Sequence, residues 1–280
     1  MAVKDELGNR MKEYYENIPK AKLMRRTPVI IRLDGKAFHT FTKKLKKPFD
    51  DILMNSMSDT MKYLCENIQG CVLGYCQSDE ISLVLQDYKE LSTAAWFDYE
   101  VQKVCSIAAS MATLAFNKNF INHVSEFSEN YFESWNRSLE DEKLFEAYNS
   151  CIDTGAMFDA RCFNIPKEEV ANYFYWRQLD ATRNSIQMVG QSNFTHKELQ
   201  NKSCNQIQDM LMVKKNINWN NLPTAKKRGS CCIKSNYIVN DNNGNPVIRS
   251  SWAIDNAIPI FVNEGRDYIE RRINIESVEV

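Results

Sequence analysis

Three residues, Ser78, Asp79 and Glu80, are all that separate two apolar runs, CVLGYCQ at 71–77 and ISLVLQD at 81–87. No crossover helix fits in so short a link, so the two runs form a tight antiparallel hairpin. A third run, PVIIRL at 28–33, opens after Thr27-Pro28 and ends at the turn signal Asp34-Gly35. Between it and the hairpin, Ile52, Leu53, Met57, Met61 and Leu64 recur at helical spacing over 50–67. The chain therefore begins as strand, helix, strand, strand, and its sheet contains antiparallel pairs. That favours an α+β fold over a doubly wound parallel sheet.

The rest of the chain continues the mixture. Residues 5–17 read as a short polar helix, and 97–122 as a long helix rich in small residues. A polar stretch at 125–148 reads as helix or loop, and FDARCFNIP at 158–166 as a strand. Pro166 opens a helix with acids in its first turn. Two shorter helical patterns span 195–212, and CCIKSNYIVN and PVIRSSWAI form a hairpin across the turn NDNNGN. Tyr173, Tyr175 and Trp176 read as core aromatics of the helix after Pro166.

Charge and cysteine usage narrow the class. The net charge of −1 neither supports nor excludes a nucleic-acid partner, since only a footprint must be basic. The nine cysteines (65, 71, 76, 105, 151, 162, 204, 231 and 232) contain no CxxC pair and accompany three histidines. They read as reduced thiols of a cytoplasmic protein, not as a zinc site. The triplets beginning at Asn136, Asn193 and Asn201 are then chance glycosylation matches. No apolar run approaches the ~20 residues that a membrane span needs.

Chemistry gathers where the strands end. Asp34 follows the first strand, and Asp79 with Glu80 fills the hairpin turn. If those ends share one sheet edge, three carboxyls converge there. Carboxylates so close repel, and a divalent cation relieves them. Hard oxygen donors suit Mg²⁺, and two such ions can hold an attacking hydroxyl and a leaving phosphate in line. The loop Gly35-Lys36-Ala37-Phe38-His39 adds a glycine, a lysine and successive amides suited to an anion.

Arg32-Leu33-Asp34-Gly35-Lys36-Ala37-Phe38-His39 resembles the R-L-D-G-x-x-F-H signature of the tRNA-His guanylyltransferase family. Tyr75-Cys76-Gln77-Ser78-Asp79-Glu80 resembles its Y-x-Q-S-D-E signature, and Trp176-Arg177-Gln178-Leu179-Asp180 its W-R-Q-x-D block. Lys227-Arg228-Gly229 is similar to a late basic-glycine turn. The resemblance spans residues 5–235 and implies a polymerase-palm-like antiparallel sheet with packed helices and a helical and hairpin C-terminal extension. Residues 1–150 would be a palm-like core holding metal and nucleotide, and 151–280 the rest of the core plus the extension, in one integrated unit.

The resemblance also implies a chemistry. A tRNA 5′-monophosphate is activated by ATP, or a 5′-triphosphate is used directly. The 3′-hydroxyl of an incoming nucleotide, commonly GTP, then attacks. Asp34 and Asp79 would bind the metals, with the Gly35 carbonyl and Glu80 completing the site. The nucleotide would lie on Asp34, Gly35, Lys36, Ala37, Phe38, His39, Ser78, Asp79 and Lys103. The partners implied are tRNA, nucleoside triphosphates and further copies of the chain, as a tetramer.

One departure is informative. The eukaryotic members follow the W-R-Q-x-D block with a histidine tied to activating a 5′-monophosphate, and here that place holds Thr182. The pattern resembles the like-protein branch of bacteria and archaea, which implies template-dependent repair of truncated tRNA 5′ ends. Addition of one extra guanosine is the alternative, and a non-catalytic tRNA-binding protein a second. Three basic clusters can face RNA: Lys20 to Arg26, Lys43 to Lys47, and Lys214, Lys215, Lys226, Lys227 and Arg228, the last favoured for the acceptor stem. Arg177, Arg183 and Asn184 either join them or form a salt-bridged surface with Asp180.

Overall fold

The computed structural model describes residues 5–133, 138–241 and 244–274. In chain order its elements are α1 (Glu6–Met11), β1 (Val29–Gly35), α2 (Phe38–Phe41), α3 (Asp51–Asn67), β2 (Cys71–Gln77), β3 (Glu80–Leu85), α4 (Val101–Glu133) and α5 (Leu139–Thr154). They continue with β4 (Phe158–Asn164), α6 (Lys167–Asn193), α7 (His196–Leu199), α8 (Cys204–Lys215), α9 (Thr224–Arg228), β5 (Ser230–Asn240), β6 (Pro246–Asp255) and α10 (Asp267–Ile273). One six-stranded sheet runs β4-β1-β3-β2-β5-β6, every neighbouring pair antiparallel. The first four strands with α3 and α4 form the split βαβ unit of ferredoxin-like folds. The α+β reading and the antiparallel sheet are as expected.

Alternation along β1 decides what each face of the sheet holds. Val29, Ile31 and Leu33 point into a core built with Met57, Met61 and Leu64 of α3 and Ala108, Phe116 and Phe120 of α4. Ile30 points the other way, into a core with Val170 and Phe174 of α6, Phe261, and Ile269 and Ile273 of α10. Arg32 and Asp34 follow Ile30 on that second face. A third core joins Ile186 and Val189 of α6 to Ile207 and Leu211 of α8 and to Trp219.

Several boundaries differ from expectation for local reasons. Glu80 already belongs to β3, so the hairpin turn is Ser78-Asp79, with Ser78 at φ 51°. The long helix begins at Val101, because Phe97, Asp98 and Tyr99 all take positive φ, and it runs on to Glu133. The polar stretch after it yields α5, nucleated by a capping box between Ser138 and Asp141. Residue 150 falls within α5, and β4 beyond it pairs with β1. Only the base of the C-terminal hairpin covers core: Ser230 to Cys232 are buried, whereas Tyr237, Ile238 and Ile248 stand exposed. Asn136 and the middle of the 240–245 turn lie outside the described residues.

Candidate active site

Register brings the acids together. Asp34 on β1 lies opposite Glu80 on β3 and opposite Asp159 on β4. The Gly35 amide donates to the Asp79 carbonyl at 3.0 Å, and the Lys36 amide to the Met157 carbonyl at 2.8 Å. The loop after β1 is thus strapped between the hairpin turn and the start of β4. A side chain at Gly35 would meet the Phe38 ring at 2.2 Å, so the chain can turn back over Phe38 only with glycine there. Two amides of the expected anion loop are spent on these straps. The Phe38 and His39 amides of α2 remain, since those of Thr40 and Phe41 donate to the Ala37 carbonyl and Ala37 caps the helix without a side-chain bond.

The carboxyls are not equivalent. Burial raises Asp79 above the usual carboxylate range, and the charge of Asp34 pushes the same way. Burial also raises Glu80, while Arg177 pulls it back. Arg177 grips Glu80 with two bonds, Nε to Oε1 and Nη2 to Oε2, each 2.7 Å. Its Nη2 also reaches Asp180 at 3.0 Å, and Asp180 is held in turn by Arg183. Glu80 therefore stands behind Asp79, engaged by a guanidinium where a third metal ligand had been expected. Asp34 keeps its side chain 40% exposed, with Arg161 4.0 Å away and turned mainly to Asp159 at 2.8 Å.

The donor set suits a hard cation. Asp34 and Asp79 offer oxygen ligands whose mutual repulsion a positive ion removes. Among the described residues no three His, Cys, Asp or Glu side chains gather into a closed metal cage. Mg²⁺ does not need one, since it keeps waters and takes substrate phosphates as ligands.

Beside Asp79 opens a cleft of about 480 Å³, lined by His39, Lys43, Lys46, Lys47, Ser78 and Asn184, with Lys226 across from them. Buried Asp50 builds its floor: it caps α3 through the Leu53 amide and accepts from the Lys46 amide and the Tyr148 hydroxyl. Gly229, at φ 82°, closes it, because any Cβ there would lie 2.3 Å from the Cys76 carbonyl.

Asp34 and Gly35 thus adjoin Asp79, and Ser78, Asp79 and His39 share one cleft with Asn184 and Lys226, which had been expected at RNA. Lys36 is exposed on the strapped loop. Phe38 touches the cleft, but its ring is buried among Phe41, Phe116 and Phe158. Other residues fall elsewhere. Lys103 lies over Phe97, at the start of α4. That helix reaches the acidic edge only at Thr113, which accepts from the Phe158 amide, about 15 Å further along. Lys227 is turned inward to the Asn220 carbonyl and Trp219, so it is no phosphate contact. Arg177 is buried, which removes it from any RNA surface. Lys226 pairs with Asp51, Lys214 and Lys215 flank Phe194, and the Arg228 carbonyl accepts from Tyr75. Trp176, expected in the core, is 52% exposed. Asp159 and Arg161 escaped notice because they face the site only if β4 pairs with β1. Their alternation within FDARCFNIP was the available signal.

A four-stranded antiparallel palm with carboxyls at its exposed edge and a basic cleft beside them defines a nucleotidyltransferase. The chain belongs to the tRNAHis guanylyltransferase family, whose model matches residues 8–166. A bacterial tRNA(His) guanylyltransferase-like protein solved with ATP is 42% identical, with a TM-score of 0.77 over 96% of this chain and 100% of that one. One solved with GTP is 39% identical, with a TM-score of 0.74 over 96% and 99%. The tRNA(His) guanylyltransferase of Saccharomyces cerevisiae is 25% identical over 228 residues, covering 76% of this chain and 85% of that protein. Among the described residues no helix is long and apolar enough to cross a membrane.

Proposed function

We propose that this chain adds nucleotides to the 5′ end of tRNA in the 3′–5′ direction, templated by the opposite strand of the acceptor stem. The observation that carries this reading is the strap between Gly35 and Asp79, which holds two carboxylates at the lip of a basic cleft. Asp34, Asp79 and the Gly35 carbonyl would hold Mg²⁺, and bound Mg²⁺ supplies charge neutralisation at the transferring phosphate. Lys46, Lys226 and the open amides of α2 bind the triphosphate, with Ser78 and His39 at its border. Arg177 fixes Glu80, and through the β3 backbone it fixes Asp79. The 3′-hydroxyl of the bound nucleotide attacks the α-phosphorus of the RNA 5′-triphosphate. Its proton is lost, the new phosphodiester forms and pyrophosphate departs.

Two observations favour repair over a single guanosine addition. Similarity is stronger to the bacterial like-proteins, at 42% and 39%, than to the yeast enzyme, at 25%. The position tied to monophosphate activation in eukaryotes holds Thr182, whose hydroxyl is bonded back to the Gln178 carbonyl at 2.9 Å. That residue offers no group able to accept or donate a proton near neutrality. The test supplies Mg²⁺ and labelled GTP to tRNA-His, full-length or lacking its first nucleotide, each with a 5′-monophosphate or a 5′-triphosphate. Preferential extension of the truncated triphosphate by the pairing nucleotide is expected. Better addition of an extra guanosine to full-length monophosphorylated tRNA would establish the guanylyltransferase reading instead.

A further inference from the structure

We propose that Trp176 is a nucleobase-stacking plate at the rim of the acidic edge, an inference that rests on the nucleotidyl-transfer reading above. A tryptophan with 52% of its surface in solvent is unusual, because this side chain carries the largest apolar area a chain can hide. This one is also held still. The Arg177 guanidinium sits 4.4 Å from its ring centroid, and that guanidinium is itself clamped to Glu80. Tyr173 meets it edge-on at 6.0 Å, and Tyr173 is anchored by the Ser82 hydroxyl at 2.8 Å. An aromatic plane fixed on one side and open on the other is a surface on which a base can stack without ordering anything first.

Its place fits that use. Tyr173 points along the α6 flank that meets Phe163 of β4. Trp176, three residues on, continues that flank toward the end of the strands where Arg177 meets Glu80. The floor below it is open: Asp159 and Arg161 of β4 keep 59% and 48% of their side chains exposed. The basic cleft opens on the opposite side of the carboxyls, against Ser78, Asp79 and α9. Transfer joins two nucleotides at the carboxyls, and each base needs its own support. The cleft supplies one, and Trp176 supplies the second. The ligand chemistry is a purine or pyrimidine base, from the 5′-terminal nucleotide of the RNA or from the incoming nucleoside triphosphate.

The experiment compares the full-chain wild type with Trp176→Phe and Trp176→Ala. The difference between wild-type and Trp176→Phe emission isolates this indole. Titrants are GTP, inorganic triphosphate, a 5′-triphosphorylated RNA stem-loop, and the same stem-loop with an abasic first residue. Quenching by GTP or by the intact stem-loop, and by neither base-free titrant, is expected, and the effective one names the source. Trp176→Ala raises the KM of that source at least about tenfold with kcat within about twofold, and Trp176→Phe restores most of it. Equal quenching by the base-free titrants, an unchanged KM in the alanine variant, or an assembly present in wild type and lost in that variant would each overturn the proposal. A wild type that transfers nothing yet shows base-dependent quenching would refute 5′-end addition and leave the stacking plate standing.

Discussion

The two faces of the sheet are made by the same strands and do opposite things. On the face under α3 and α4, β1 and β3 contribute Ile31, Leu33, Ile81 and Leu83, all fully buried among apolar neighbours. On the face under α6 the intervening positions are Arg32, Asp34, Glu80 and Ser82. The first face buries hydrocarbon, which drives folding. The second buries hydrocarbon at Ile30 and Val84 but charge at Glu80, which opposes folding unless every group is partnered. There the Arg32 Nε is a buried donor with no partner. The contrast teaches that the α3 face stabilises along its whole length, whereas the α6 face stabilises at its Ile30 end and gives part of that back at its carboxyl end.

The sharpest break in that comparison is Asp79→Asn. Losing one of the oxygens proposed to hold Mg²⁺ should lower transfer by roughly 10³-fold, the equivalent of several kcal/mol at the transition state. The same variant should melt at a higher temperature near neutral pH. The sign follows from the raised Asp79 carboxyl, which holds its proton more tightly folded than unfolded. Stability is then greatest below the unfolded carboxylate pKa. It falls as pH rises through the interval up to the raised folded value, and at neutrality the penalty is complete. Calorimetry beside a transfer assay checks both halves, and an asparagine variant less stable than wild type would remove the claim that burying this charge costs stability.

Arg177→Met should cost ~3–5 kcal/mol by stranding buried Glu80, whereas Arg177→Met combined with Glu80→Gln should recover a large part. Denaturant melts of the double-mutant cycle read the coupling, and additive losses would show that the pair is not a unit. Arg177→Lys should rescue poorly, since one ammonium cannot make both bonds.

On the opposite face Leu64→Ala should cost ~2–5 kcal/mol through its cavity while transfer per folded molecule stays within about twofold. A large fall in kcat would mean that the α3 side reaches the chemistry. The smallest effect is that of Mg²⁺ on the free protein. At a concentration near 100 times its Kd it should stabilise by about 2.7 kcal/mol at neutral pH. The gain should vanish in acid, where Asp79 is protonated, and in Asp34→Asn. Thermal shifts across pH with Ca²⁺ and Mg²⁺ would read this.

What could be seen in the sequence follows the same division. Asp34, Asp79 and Glu80 were legible because each sits at the end of an apolar run, and a link of only three residues forces two of those runs to meet. The antiparallel sheet followed from that link. The partnership of Arg177 with Glu80 was not legible, because it joins a helix to a strand across 97 positions and depends on how α6 is rotated. Lys103 is implied at the site by the family resemblance alone, and a resemblance in sequence does not report how far along α4 the site lies. Trp176 was assigned to the core by its chemistry. Its exposure follows from the rotation of α6, which packs Tyr173 against Phe163 of β4 and leaves Trp176, one turn on, half in solvent.

The order of the strands has a consequence for how the protein is made. The acidic edge draws on three separate excursions of the chain, at Asp34, at Asp79 with Glu80, and at Asp159, and its clamp arrives last with Arg177. A ribosome adds roughly 5–20 residues each second, so the first carboxyls emerge several seconds before the guanidinium that steadies them. Through that interval the nascent chain carries an acidic edge without its clamp. The acidic edge is therefore complete only when synthesis has passed the middle of α6, and a translation product cut short before that point lacks the clamp on Glu80.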